Sequence, residues 1–225
     1  MSSEPAHALT RKNKNMQIIA HRGLWRCSEE KNTLRAMQQA FQSGIGIETD
    51  IRDLDGELVI SHDMPRRGAL TLSRVLGNYV DAGSPGTLAL NIKSDGLTIP
   101  LKYLLDYYGV RDYFCFDMSI PDTLPYLTAH MPVAARLSEY EDEGPLTRLA
   151  GALWWDAFSE RFPPAEQLGK WLALGQSVCL VSPELHGRSP DVFWSRLAAL
   201  PVSVRSHNGL MLCTDHPEQA GAILL

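Results

Sequence analysis

Four short polar groups carry the reactive side chains of the first hundred residues: His21-Arg22-Gly23, Glu48-Thr49-Asp50, His62-Asp63 and Asn91-Ile92-Lys93. Histidine titrates near neutral pH, so His21 and His62 offer a general base and a general acid. Glu48 and Asp50 are two residues apart. In an extended strand that spacing points both carboxylates to one side, where they can share a hard cation such as Mg2+ or Ca2+. Arg22 can grip a phosphate through two hydrogen bonds, and Lys93 adds a point charge. Such an inventory can hold a divalent metal and cleave a phosphate ester. Each fragment alone has a plainer reading. A single histidine at a strand end is more often a hydrogen-bonded structural residue, an E-x-D an exposed charge pair, and Lys93 an ion-pair partner of Glu48 or Asp50. Their joint occurrence favours the chemical reading, because buried carboxylates require a cation or a basic partner.

The elements that position these groups are legible as apolar runs. Gln17-Ile18-Ile19-Ala20, Gly44-Ile45-Gly46-Ile47, Leu58-Val59-Ile60 and Leu88-Ala89-Leu90 read as buried strands. Along the chain, strands are expected at 16–20, 46–51, 87–92, 113–117, 132–136, 152–156, 177–182 and 209–213. A further short strand at 57–61 extends the loop after the second. Helices are expected at 33–42, 71–80, 98–108, 120–130, 143–150, 164–174, 190–199 and 215–223. Leu34, Met37 and Phe41 share one face of the first, with Asn32 as its N-cap. Ser119-Ile120-Pro121, Ser189-Pro190 and Asp215-His216-Pro217 read as helix starts.

Eight alternating units predict the α/β class and one distorted (β/α)8 TIM barrel over residues 16–225. No G-x-G-x-x-G and no P-loop supports the alternative, an open doubly wound sheet. A barrel of this kind places its active site at the C-terminal strand ends, where the polar groups fall. Later strand ends add Asp117, Arg136, Asp156, Ser182, Glu184 and His186. The loop carrying Glu184 and His186 reads equally as a substrate loop and as an ordinary turn into the next helix. Trp25, Trp154 and Trp155 read as an apolar wall at the mouth or as core packing.

The chain has 225 residues, 44% of them hydrophobic, enough for one large core. The net charge of −5 argues against nucleic-acid binding. No apolar run approaches the roughly 20 residues that span a bilayer. Residues 1–15 read as a polar disordered tail without a secretory signal. Cys27, Cys115, Cys179 and Cys213 form no C-x-x-C pair, and three lie in apolar runs. They read as reduced and structural, which with the polar N-terminus predicts a cytoplasmic protein.

Several of these stretches together resemble the glycerophosphodiester phosphodiesterase family of phospholipase C-like barrels. They are Ile19-Ala20-His21-Arg22-Gly23, Asn32-Thr33, Gly46-Ile47-Glu48-Thr49-Asp50-Ile51, Asp55 to Asp63, and Cys213-Thr214-Asp215-His216-Pro217. The resemblance is strong over 17–63, partial at 87–93, and returns at 209–217. It implies a barrel binding one divalent cation, Mg2+ or Ca2+, through Glu48 and Asp50. His21 and His62 would serve as base and acid, and Arg22 would contact phosphate, with Lys93 beside it. The implied substrate is a small phosphodiester of lipid metabolism, a glycerophosphodiester or lysophospholipid. A neighbouring substrate hydroxyl would attack phosphorus to give a cyclic phosphate.

Three positions depart from the family pattern. The usual E-x-K becomes Asn91-Ile92-Lys93, so an uncharged amide takes the third metal position. The usual P-E-N-T becomes Glu30-Lys31-Asn32-Thr33. Only 23 residues separate Asp63 from Thr87, where the family often carries a longer insertion. Asn91 and Lys31 also suit a different class, a non-catalytic barrel binding a phosphorylated ligand. The paired His21 and His62 argue for the enzyme.

Overall fold

In the computed structural model, which describes residues 16–225, the strands are β1 (Gln17–His21), β2 (Gly46–Leu54), β3 (Glu57–Ile60), β4 (Leu88–Ile92), β5 (Tyr113–Phe116), β6 (Ala134–Leu137), β7 (Ala152–Trp155), β8 (Ser177–Val181) and β9 (Leu210–Thr214). All but β3 run parallel, in the order β5-β4-β2-β1-β9-β8-β7-β6. The outermost two meet through one parallel bridge, Cys115 with Val133, so the barrel is nearly closed. β3 pairs antiparallel with the far end of β2 and lies off the barrel.

The helices are α1 (Leu34–Gln42), α2 (Leu72–Asp81), α3 (Thr98–Tyr107), α4 (Ile120–Thr128), α5 (Pro145–Leu149), α6 (Ala165–Ala173), α7 (Asp191–Ala198), α8 (Val202–Arg205) and α9 (Pro217–Leu224). The expected strands and helices all form, with ends displaced by no more than two residues except in β2, which runs three residues further, to Leu54. The 3-10 turns at Ser28–Glu30 and Pro183–His186 and the single turn of α8 are additional. Each is too short to leave a periodic pattern in the sequence. The tail expected at 1–15 lies outside the described residues.

Strand alternation divides the apolar residues into two sets. Ile19, Ala89, Phe114, Phe116, Trp154, Cys179, Val181, Met211 and Cys213 fill the barrel. Ile18, Ala20, Ile47, Ile51, Leu88, Leu90, Cys115, Leu153 and Trp155 face outward into the layer beneath the helices. Trp154 stacks on Phe116 at 4.1 Å, whereas Trp155 tilts against Trp171 outside. The tryptophans therefore form no common wall at the mouth, because neighbours on a strand point to opposite faces.

One N-cap differs from expectation. Thr33, not Asn32, caps α1 by accepting from the Ala36 amide. Asn32 is drawn away by side-chain bonds to the barrel. Gly23 turns the chain just after β1 at φ 93°. A Cβ there would lie 2.7 Å from the Ala36 carbonyl carbon, so the turn after His21 can pack on α1 only as glycine.

Candidate active site

At the C-terminal strand ends the inward positions turn from apolar to polar. His21 closes β1 in register with Glu48 of β2, and Asp50 pairs with Asn91 of β4. Glu48, Asp50 and Asn91 are all buried. Lys93 follows β4, and its amide is fixed by a bond to the Ile51 carbonyl. The structure thus brings His21, Arg22, Glu48, Asp50, Asn91 and Lys93 together in one rim sector.

His21 Nδ1 lies 2.6 Å from Asp215 Oδ1 at the end of β9. Burial works against the Asp215 charge. The His21 hydrogen bond, the His21 charge and Lys31, 3.1 Å from Oδ2, outweigh it and hold the carboxyl below its ordinary range. An ionised carboxylate only accepts, so Nδ1 of His21 carries the hydrogen. Nε2 is left facing the site, 3.7 Å from Glu48 Oε2. Lys31 also sits over the Trp25 ring at 4.3 Å, and the Trp25 indole donates to the His21 carbonyl. This anchors the first loop around the histidine.

Asp50 is heavily compensated. Its Oδ2 lies 3.0 Å from Arg22 Nε and accepts from Asn32 Nδ2 at 2.8 Å, while Oδ1 lies 3.6 Å from Lys93 Nζ. Asn32 in turn accepts from the Thr49 hydroxyl. Arg22, Asn32 and Asp117 hold positive φ angles of 60°, 60° and 69°. Such angles are uncommon outside glycine and concentrate at functional sites. Glu48 has less support. Asn91 Nδ2 donates to its Oε1 at 3.3 Å, and burial raises its carboxyl to about 7 against the lowering effect of His21.

Three buried oxygens here have no hydrogen-bond partner among the described residues: Glu48 Oε2, Asp50 Oδ1 and Asn91 Oδ1. Two carboxylates and an amide are the donors a hard divalent cation takes. Among the described residues no group of three or more His, Cys, Asp or Glu side chains is placed to share a metal. A cation held here would therefore need the amide of Asn91 as well.

His62 stands apart. It follows β3 on the extension, its side chain is 50% exposed, and its partner Asp63 at 2.9 Å is 92% exposed. Among the described residues no hydrogen bond or ion pair joins its side chain to His21, Glu48 or Asp50, while its carbonyl accepts from Arg52 Nε at 3.1 Å. Along the adjacent rim, Lys93 reaches Asp117 at 3.5 Å, and Asp117 meets Arg136 at 3.2 Å. His186 Nε2 lies 2.6 Å from Asp156 Oδ1 at the end of β7. Glu184 is turned into the protein. It accepts from the Ser182 and Thr214 hydroxyls and, at 3.1 Å, from the Asp215 amide.

Sequence reasoning gave no role to Asp215 as partner of His21, to Asn32 as support for Asp50, or to Asp156. These partners are 194, 18 and 30 residues from the groups they hold. Asp215 and Asp156 were signalled by their place at strand ends, and Asn32 and Asp215 by the stretches that carry the family resemblance. The four cysteines are free; Cys115, Cys179 and Cys213 are buried and Cys27 is exposed. Burial raises the thiols of Cys179 and Cys213, which suits filling rather than reactivity. Among the described residues no helix is long and apolar enough to cross a membrane.

No protein-family profile matches the chain, and no curated protein matches its sequence. Solved structures do match. A glycerophosphodiester phosphodiesterase from Agrobacterium tumefaciens superposes with a TM-score of 0.66 at 17% identity, covering 92% of this chain and 99% of the other. A phosphodiesterase from Oleispira antarctica, bound to its product sn-glycerol-3-phosphate, gives 0.64 at 17% identity, covering 93% and 96%. A Ca2+-dependent phosphatidylinositol-specific phospholipase C from Streptomyces antibioticus gives 0.54 at 10%, covering 95% and 98%. The chain is thus a near-closed parallel β/α barrel of the fold seen in these phosphodiesterases and this phospholipase C.

Proposed function

We propose that the protein is a metal-dependent phosphoric diester hydrolase acting on a small phosphodiester that carries a hydroxyl near phosphorus, of the glycerophosphodiester or lysophospholipid type. One observation carries the reading. Three buried oxygens without hydrogen bonds, two cationic side chains and an Asp-anchored histidine share one sector of the barrel mouth. The fold neighbours that act on phosphodiesters support it.

In this reading His21 takes the proton of the attacking substrate hydroxyl at Nε2, while Asp215 keeps the ring oriented through Nδ1. Arg22 and Lys93 bind the phosphate oxygens. Both now neutralise Asp50, so the phosphate competes with that carboxylate for them. Glu48, Asp50 and Asn91 would hold the divalent cation, Mg2+ or Ca2+, which when bound supplies further positive charge for the phosphoryl oxygens. His62 is the second histidine that the family resemblance implies. Glu184 and His186 belong to the loop facing the substrate, Glu184 as its brace.

The test is release of phosphomonoester or cyclic product from a panel of glycerophosphodiesters and lysophospholipids with Mg2+ or Ca2+. The expected result is turnover of at least one member, abolished by chelation. The competing reading, a barrel that binds a phosphorylated ligand uncleaved, draws on Asn91 and on the Lys31–Asp215 pair. It predicts thermal stabilisation by glycerol phosphate and no product at saturating metal.

A further inference from the structure

Two successive residues of the first loop hold carboxylates of the proposed centre. Asn32 donates to Asp50 Oδ2 at 2.8 Å, and Lys31 Nζ lies 3.1 Å from Asp215 Oδ2. The catalytic reading gives Lys31 no task, although its cation reaches the group that orients the base. Asp215 divides its oxygens, Oδ1 to His21 Nδ1 at 2.6 Å and Oδ2 to Lys31.

The turn that carries Lys31 is fixed along its length. The Lys31 amide donates to the Ser28 carbonyl at 3.2 Å, and the Asn32 amide to the Arg22 carbonyl at 3.0 Å. The Glu30 carboxylate accepts from the Arg26 amide at 2.9 Å, and the Glu30 carbonyl from the Thr33 hydroxyl at 2.7 Å. The ammonium of Lys31 sits 4.3 Å from the centre of the Trp25 ring, and the Trp25 indole donates to the His21 carbonyl at 3.0 Å. The side chain of Lys31 is 24% exposed and that of Asp215 10%. A cation held between a carboxylate and an aromatic face loses freedom that a lysine in open solvent keeps.

Asp215 depends on that cation for one of its two oxygens. Among the described residues its Oδ2 has no other hydrogen bond or ion pair. Its backbone is already tied down, because its amide donates to Glu184 at 3.1 Å. The freedom left is rotation of the side chain. A carboxylate held at one oxygen can still turn, whereas one held at both presents Oδ1 in a single direction. Orientation of this kind has to exist before the substrate hydroxyl arrives, because the base acts only on a proton it already faces.

We propose that Lys31 is a positioning residue of the reaction: it locks Asp215 from the side opposite His21 and so keeps His21 Nε2 aimed into the site. The kinetic part of this inference rests on the phosphodiesterase reading; the hold on Asp215 does not.

Lys31→Met keeps most of the stem and removes the charge, and Lys31→Arg keeps a cation. Proton NMR of the protein without substrate reads the hold directly. The Nδ1 proton that His21 shares with Asp215 should give a downfield resonance, identified by its absence from His21→Ala. It should persist in Lys31→Arg and broaden away in Lys31→Met. With Mg2+ and a glycerophosphodiester, Lys31→Met should lower kcat about tenfold or more while KM changes less than about threefold. Lys31→Arg should stay within about threefold of the unaltered kcat. Lys31→Gln should behave as Lys31→Met and replaces it if that variant does not fold. No downfield resonance in the unaltered protein, a resonance unchanged in Lys31→Met, a loss confined to KM, or no recovery in Lys31→Arg overturns the inference and leaves the phosphodiesterase reading standing. No turnover by the unaltered protein overturns that reading and the kinetic role of Lys31 with it, while the resonance still decides whether Lys31 holds Asp215.

Discussion

His21 and His62 come from motifs of the same kind, a histidine beside a charged residue just after a buried strand, yet the fold treats them differently. His21 sits within the barrel rim, 13% exposed, against a carboxylate that is 10% exposed and comes from the far end of the chain. His62 sits on the hairpin extension, 50% exposed, against its own neighbour. A ring held by a buried partner on a separate strand has one orientation. A ring paired with the next residue in solvent keeps several, and an exposed pair of this kind contributes little. The difference shows that spacing in sequence finds candidate groups, while the partner strand decides which of them is fixed.

The largest effect expected from this contrast lies in the two partner carboxylates. Asp215→Asn leaves the side-chain volume but removes the charge that orients His21, and should lower kcat on a phosphodiester about a hundredfold or more. Asp63→Asn should stay within about threefold. Comparable losses in the two variants would erase the distinction between the anchored and the exposed pair.

The buried carboxylate beside His21 sharpens the comparison through pH. Burial raises Glu48 to about 7, so the folded chain holds that proton more tightly than the unfolded chain. Its contribution to stability is complete below its unfolded value and is lost as pH rises through about 7. Without divalent cation, the stability of the unaltered protein relative to Glu48→Gln should fall between about pH 4 and pH 8 by up to roughly 3 kcal/mol. Urea unfolding midpoints at the two pH values read this directly. A difference that does not change with pH would mean that Glu48 is already compensated.

A smaller effect tests the turn that delivers His21. Gly23→Ala places a Cβ against Ala36 at a positive φ and should cost about 2 kcal/mol. Thr33→Ala, which only removes the cap of α1, should cost about 1 kcal/mol. Thermal or urea unfolding measures both, and a Gly23 variant no less stable than the Thr33 variant would contradict the tight packing described here.

Most of the barrel was readable because its signals are local. Apolar runs of four or five residues marked the strands, and their polar ends marked the mouth. Glu48 and Asp50 could be assigned to one face from their spacing alone, and they share it. The partners were not readable. Asp215, Asp156 and Asn32 act through contacts made only once strand ends and loops are brought together in the barrel, and no periodicity encodes that. Asn32 shows the point in small compass. Its residue type suits an N-cap, but a hydrogen bond to buried Asp50 is available, and Thr33 takes the cap instead. The tryptophans followed the same logic, because adjacent strand residues cannot share a face.

The central claim is that the sector around His21 cleaves a phosphodiester. Phosphorus NMR of a glycerophosphodiester incubated with the protein and Mg2+ or Ca2+ tests it most directly, with His21→Ala as the paired sample. The account predicts that the diester resonance is replaced by that of a cyclic phosphate or monoester, and that the variant slows this by about a thousandfold. An unchanged diester resonance with the unaltered protein, or equal conversion by the His21→Ala variant, would contradict it.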